Sequence, residues 1–285
     1  MESKPVTPYV VGSKNPLAVA INCAAKAGEW IKSRLGDIKA VNEKFSPQDL
    51  VTDVDKGAEA MIRKLILTHF PSHDILGEEG VAPGAAASAA ALKEASSSEF
   101  LWIIDPLDGT TNFVHSFPFF CVSIALAFKG EVIIGVIYDP IRDEMFVAEK
   151  GKGSYMHGHT NRVSADARLE ESIIAVGFNP DRQAASINLK GITALSGKAR
   201  SLRAGGSAAL HLAYVAAGRL GGYYEVNLNS WDTAAGALMV AESGGKVTDT
   251  TGNPYHVGAR NLIVSNGTIH QELLEVIKAA GATGN

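Results

Sequence analysis

Apolar and polar positions along the chain follow two periods. After a polar stretch, residues 1–14, Asn15-Pro16 offers a cap and a proline at the first helical position. Leu17, Ala20, Ile21, Ala24, Ala27, Ile31 and Leu35 then recur at helical spacing until Gly36. A second amphipathic helix turns Ala58, Ile62, Leu65 and Ile66 inward and is ended by Pro71. Ile75 and Leu76 belong to a short strand that stops at Glu78-Glu79. The run Leu101 to Ile104 is fully apolar and rich in β-branched residues, which predicts a buried strand. Asp105 stands where that strand emerges, and Pro106 fits the second position of a turn.

Residues 119–156 alternate as a β-meander, with strands near Phe119–Phe128, Val132–Tyr138, Met145–Glu149 and Ser154–Met156. From about residue 160 strands alternate with helices. Strands are expected at Ser172–Phe178, Ala199–Arg203, Gly222–Glu225, Val247–Asp249 and Leu262–Ser265. The helices between and after them span 182–196, the stretch after Gly206 to about Leu220, Thr233–Glu242 and 269–280. The change of pattern divides one compact unit into an N-terminal α+β half, residues 1–155, and a C-terminal α/β half, residues 156–285. The low-complexity piece Val81–Glu99 is expected as a surface loop bordering the site, with a short helix in its Ala-rich part as the alternative.

Length and composition narrow the class. The chain has 285 residues, enough for one large α/β domain, and 46% are hydrophobic, as in a globular soluble protein. A net charge of −4 argues against a nucleic-acid backbone as the main partner. Cys23 and Cys121 sit in apolar contexts, where buried free thiols and a reducing, cytoplasmic compartment are expected. No signal or transit peptide and no membrane-length apolar run is read in the sequence.

The candidate chemistry lies in carboxylates that end strands or begin helices: Asp55, Glu78, Asp105, Asp108 and Asp232. Asp105 and Asp108 converge beside Gly109, which lets backbone approach a ligand, and beside Thr110-Thr111, the expected cap and first turn of a short helix. Such acids repel one another unless cations intervene, and an all-oxygen donor set selects Mg²⁺ or Mn²⁺ over zinc. Each motif also has a plain structural use. Asp55 and Asp232 suit helix caps, Gly205-Gly206-Ser207 suits helix packing, and His157-Gly158-His159 reads as a hairpin turn.

The stretch Trp102–Phe113, WIIDPLDGTTNF, closely resembles the signature of the inositol monophosphatase family, Mg²⁺-dependent and lithium-sensitive sugar phosphatases. Asp49–Asp55 matches its D-L-V-T-x-x-D motif, Gly77-Glu78-Glu79 its G-E-E motif, and Trp231-Asp232 its W-D motif, in the same order. The resemblance implies a layered αβαβα sandwich and two to three Mg²⁺ ions. The first metal would take Glu78, Asp105 and the Leu107 carbonyl; the second would bridge Asp105, Asp108 and Asp232; a third, weaker ion would sit near Glu78. It assigns Thr110 and Asp55 to relaying the proton of the attacking water, and Lys44 to a loop beside the metals. N–H groups near Gly109 and Thr110 would hold phosphate. Asp108, Gly206, Ser207, Ala208 and Glu225 would line the alcohol side of a sugar or polyol phosphate. Glu225 and the compact length favour a monophosphate substrate, and the resemblance makes myo-inositol monophosphate the leading one. Fructose-1,6-bisphosphatase, histidinol-phosphate phosphatase and 3′(2′),5′-bisphosphate nucleotidase activities are the alternatives within the class. A regulatory protein-binding role on the same fold is the alternative outside it. The resemblance also implies a homodimer.

Overall fold

The computed structural model describes residues 14–36, 41–43, 50–178 and 181–284. Helix α1 (Pro16–Ser33) starts as expected, with Asn15 Oδ1 accepting the Leu17 N–H at 2.8 Å and Pro16 at the first position. A short antiparallel pair, β1 (Val41–Glu43) and β2 (Leu50–Thr52), leads into α2 (Asp53–His69). The cap of α2 is Thr52 rather than an aspartate. Thr52 Oγ1 accepts the Val54 N–H at 3.1 Å, while Asp55 Oδ2 accepts the Thr52 N–H at 2.8 Å, a capping box.

Next come β3 (Asp74–Gly77), α3 (Ala85–Ala95), β4 (Phe100–Asp108), α4 (Thr110–Val114) and β5 (Cys121–Phe128). They are followed by β6 (Glu131–Asp139), β7 (Glu144–Glu149), β8 (Gly153–Met156) and β9 (His159–Thr160). Two expectations are corrected here. The piece 81–99 holds a helix, because alanine has the highest helix propensity and Ala91, Leu92 and Ala95 find core to pack against. Pro106 does not turn the chain, since β4 runs through it to Asp108. His157-Gly158 does form the turn of the β8–β9 hairpin, with positive φ at both residues.

The remaining elements are β10 (Ile173–Val176), α5 (Arg182–Ser196), β11 (Ser201–Arg203), α6 (Ala208–Ala216) and β12 (Gly222–Glu225). The chain closes with α7 (Ser230–Glu242), β13 (Lys246–Asp249), β14 (Leu262–Ser265) and α8 (His270–Ala279). α7 begins at Ser230, earlier than Thr233, because Asn229 takes the cap and Asp232 becomes its third residue.

Strands β3 to β9 lie in sequence order in one sheet, antiparallel except for the parallel pair β3–β4. A second sheet has the order β11-β10-β12-β14-β13. The period-2 alternation of β4 decides the layering. Trp102 and Ile104 face α1 and α2, packing with Ala24, Ile31, Ile62 and Ile66. Ile103 faces the other way, into a core shared by α6, α7 and the inner face of the second sheet, with Leu212, Met239, Tyr223 and Val264. On the outer face of the second sheet α5 and α8 cover Ile174, Tyr224 and Ile263 with Leu195, Leu273 and Ile277. The layers therefore run helices, sheet, helices, sheet, helices: an αβαβα sandwich.

Candidate active site

β4 carries two carboxylates out of the core at one edge of the sandwich. Its pairing with β5 is regular from Phe100–Phe128 to Asp105–Ser123, then shifts so that Asp108 faces Cys121. Three steps on β4 match two on β5, so one extra residue is taken up as a bulge that re-aims the side chains. Pro106 sits in this irregularity, where no ladder N–H is required of it. Asp105 is buried and its Oδ1 accepts the Leu107 N–H at 3.0 Å. Asp108 reaches across to the start of α6. Its Oδ2 accepts the Ser207 hydroxyl at 2.6 Å and the Ala209 N–H at 2.7 Å, with a further backbone contact from Ala208. The expected substrate loop, Gly206-Ser207-Ala208, is thus brought beside Asp108.

Gly109, at φ +102°, occupies the cap position of α4, where a β-carbon would lie 3.0 Å from the Phe119 carbonyl oxygen. Glycine rather than threonine therefore starts this helix, and Thr110 stands in its first turn. Thr110 Oγ1 donates to Asp55 Oδ1 at 2.8 Å and lies 3.2 Å from the Leu107 carbonyl oxygen. The other oxygen of Asp55 accepts the Thr52 N–H and, at 2.6 Å, the Thr52 hydroxyl. Asp55 is therefore both a capping residue and a partner of the β4–α4 turn. Burial raises its pKa above the usual carboxylate range against the pull of these hydrogen bonds, and the charge of Glu78 adds to the rise.

Glu78 opens a 3-10 turn at the end of β3, and the parallel pairing of β3 with β4 brings it out at the same end as Asp105. Glu59 braces this turn: its Oε2 accepts the Glu79 N–H at 2.8 Å, and its Oε1 accepts Arg63 Nε at 2.7 Å. The sequence reading missed Glu59, although its place one helical turn after Asp55 puts both acids on one face of α2. Asp232 is held by the Asn229 N–H at 2.7 Å. Arg260, also missed, donates to the side-chain oxygens of Asn229 and Asn227, each at 2.7 Å, and interacts electrostatically with Asp232. No sequence signal marks it, because it arrives from a loop nearly thirty residues further on. Glu225 ends β12, and the Tyr223 hydroxyl donates to its Oε2. Lys44 lies outside the described residues.

These acids share one electrostatic field. Burial pushes Asp108 up to about 6 against its bonds to Ser207 and Ala209, and Glu78 adds to the rise. Asp232 is raised well above the usual range by burial, then by the charges of Asp108 and Glu78. Glu225 is pushed up to about 7 by burial and by Asp108. Among the described residues no three His, Cys, Asp or Glu side chains stand at metal-holding distances, so the carboxylates share a field rather than a ready coordination sphere. The chemistry of the donor set nonetheless fits a hard divalent cation. All the candidate ligands are oxygen atoms, and their mutual repulsion is what such an ion relieves.

The comparisons with known proteins bear on the fold and the family. Residues 14–282 match the model of the inositol monophosphatase family. The chain is 41% identical to inositol monophosphatase 2 of Solanum lycopersicum, over 91% of this chain and 96% of that one. It is also 39% identical to the Nus factor SuhB of Pseudomonas aeruginosa, over 92% and 95% of the two chains. Among solved structures, a Thermotoga maritima IMPase superposes with a TM-score of 0.84 at 35% identity, covering 95% of this chain and all (100%) of the other. A bulge that presents Asp105 and Asp108, a threonine tied to Asp55 and an αβαβα frame thus occur in a chain that is, by family, a phosphoric monoester hydrolase: it belongs to the inositol monophosphatase family.

Proposed function

We propose that this enzyme hydrolyses a myo-inositol monophosphate to myo-inositol and phosphate. The observation that carries the reading is Glu225, a buried carboxylate on the second sheet that shares the field of Asp108. A carboxylate there suits a leaving alcohol with neighbouring hydroxyls, because hydroxyl donors satisfy an acceptor that burial otherwise penalises. The family is Mg²⁺-dependent. Glu78, Asp105, the Leu107 carbonyl, Asp108 and Asp232 would hold two to three Mg²⁺ ions, with Mn²⁺ as a substitute. Bound Mg²⁺ supplies charge neutralisation of the phosphate, an activated water and stabilisation of the leaving oxygen.

The chain's own residues do the rest. Thr110 Oγ1, already donating to Asp55 Oδ1, accepts a proton from the attacking water as it passes its own to Asp55. The raised pKa of Asp55 suits it to receive that proton. N–H groups of Gly109 and Thr110 orient the phosphate. Ser207 and the start of α6 fix Asp108, so the alcohol is read between Asp108 and Glu225. Water attacks directly, with no phosphoenzyme. We read the enzyme as a cytoplasmic homodimer, a reading that its family likeness supports.

Phosphate release from inositol-1-phosphate, fructose-1,6-bisphosphate, histidinol phosphate and 3′-phosphoadenosine-5′-phosphate, with and without Mg²⁺, tests the reading. Mg²⁺-dependent turnover is expected to be strongest on inositol-1-phosphate. A preference for another ester would overturn the substrate while leaving the catalytic assignment intact.

The likeness to the Nus factor SuhB favours a second, regulatory protein-binding role. An Asp108→Asn variant separates the two roles, since binding to a protein partner survives it and turnover does not.

A further inference from the structure

Among the buried groups that the mechanism leaves unused, one lies beside the expected substrate loop. His211, on α6, is 2% exposed and lies against the rings of Phe119 and Tyr223, with centroids 5.3 and 5.0 Å away. Its Nε2 accepts the Gly205 N–H at 3.1 Å, which fixes the ring proton on Nδ1. The carbonyl of the same peptide segment is held from the other half of the molecule. Asn112 Nδ2 donates to the Gly205 oxygen at 2.7 Å and to the Phe119 oxygen at 2.6 Å. Both acceptors are carbonyls, so the orientation of the amide is set. A β-carbon on Gly205 would lie 2.4 Å from the Phe119 ring and 2.7 Å from His211 Nε2, so glycine alone fits between them.

We propose that His211 and Asn112 clamp Gly205 from both sides and so position the Gly206–Ala208 loop for recognition of the polyol, a role that rests on the substrate reading given above. The loop leaves this grip one residue before Gly206, and its next contact is Ser207 on Asp108. The His211 ring also meets Tyr223, whose hydroxyl holds Glu225. One imidazole therefore sets both walls of the alcohol side. It does so at a cost, because His211 Nδ1 is buried without a hydrogen-bond partner among the described residues. An apolar side chain would avoid that cost and lose the acceptor for Gly205. Burial keeps the ring neutral, with its pKa held down to about 3, so the acceptor is present throughout the working range of pH.

The test compares His211→Leu, which removes the acceptor, with His211→Gln, whose amide oxygen replaces Nε2. Steady-state kinetics on inositol-1-phosphate and on p-nitrophenyl phosphate, which offers no hydroxyls, are run with saturating Mg²⁺. Exchange of the Gly205 amide hydrogen is followed in parallel. His211→Leu is expected to raise KM for inositol-1-phosphate roughly tenfold, to change the p-nitrophenyl phosphate kinetics much less, and to speed Gly205 exchange. His211→Gln is expected to restore both. Equal losses on the two substrates, an unchanged KM, or unchanged exchange in His211→Leu would overturn the clamp. If wild-type enzyme shows no preference for inositol-1-phosphate, the substrate reading fails instead, and the exchange of Gly205 still decides the clamp.

Discussion

Gly177 approaches Glu225 so closely that a β-carbon at residue 177 would lie 1.6 Å from Glu225 Oε2. No real side chain tolerates that distance. A Gly177→Ala substitution must therefore displace the carboxylate from the Tyr223 hydroxyl and from the alcohol side of the site. A hydrogen bond to a charged group contributes about 1.5–3 kcal/mol. The expected result is a rise of roughly 10- to 100-fold in KM for inositol-1-phosphate, with little change for p-nitrophenyl phosphate. Steady-state kinetics on the two esters check it, and an equal effect on both would show that Glu225 does not read the alcohol.

Glu225 also gives the metal-free protein a pH dependence. Its pKa is about 7 in the folded state against an ordinary 4.5. The folded state holds this proton more tightly, so between those values the unfolded chain binds fewer protons and stability falls as pH rises. The full difference is about 3 kcal/mol at most. In Glu225→Gln this contribution is gone. Urea unfolding in EDTA is therefore expected to show the variant gaining on wild type between pH 4.5 and pH 8. A stability difference that stays flat across this range would contradict the assignment.

Much of the frame and most of the acids were legible in the sequence because they rest on local rules. Asn15-Pro16 marks a helix start, the meander alternates with period 2, and Asp105 and Asp108 follow an apolar run. What escaped reading depends on pairing between distant segments. Pro106 predicts a turn locally, yet the ladder with β5 carries β4 through it as a bulge. Glu59 and Arg260 look like surface charges until the Glu78 turn and the Asn229 cap are folded onto them. His211 reads as one polar position in an apolar helix, and only the fold shows that Gly205 needs its nitrogen. Lys44 rests on resemblance and lies outside the described residues.

The Thr110–Asp55 bond of 2.8 Å makes a separable prediction. Thr110→Val keeps the shape and removes the hydroxyl, whereas Thr110→Ser keeps the hydroxyl. If this pair relays the proton, Thr110→Val lowers kcat by about 10²- to 10⁴-fold, the usual range for general acid–base catalysis, and Thr110→Ser recovers most of it. Asp55→Asn is a poorer probe, because Asp55 also closes the capping box of α2, and disturbing a cap costs about 0.5–2 kcal/mol. Melting temperatures separate the cases: Thr110→Val is expected to melt with wild type while Asp55→Asn melts lower. A Thr110→Val enzyme with normal kcat would remove Thr110 from the relay.

Asp232 offers the sharpest test of the metal assignment, because its effect on stability should change sign with Mg²⁺. Without metal its half-buried carboxylate is raised well above the usual pKa range, first by desolvation and then by the charges of Asp108 and Glu78. Asp232→Asn removes that repulsion and still offers an oxygen to the Asn229 N–H, which Asp232 now accepts at 2.7 Å. In EDTA near pH 7 the variant is therefore expected to melt above wild type. Mg²⁺ reverses the order, since an ion that binds only the folded state adds about 2.7 kcal/mol at a hundred times its dissociation constant, and the amide of the variant offers it no negative charge. Thermal unfolding of both proteins across a Mg²⁺ titration reads both halves of the argument. Parallel stabilisation of wild type and variant by Mg²⁺ would exclude Asp232 as a ligand even if the variant melted higher in EDTA.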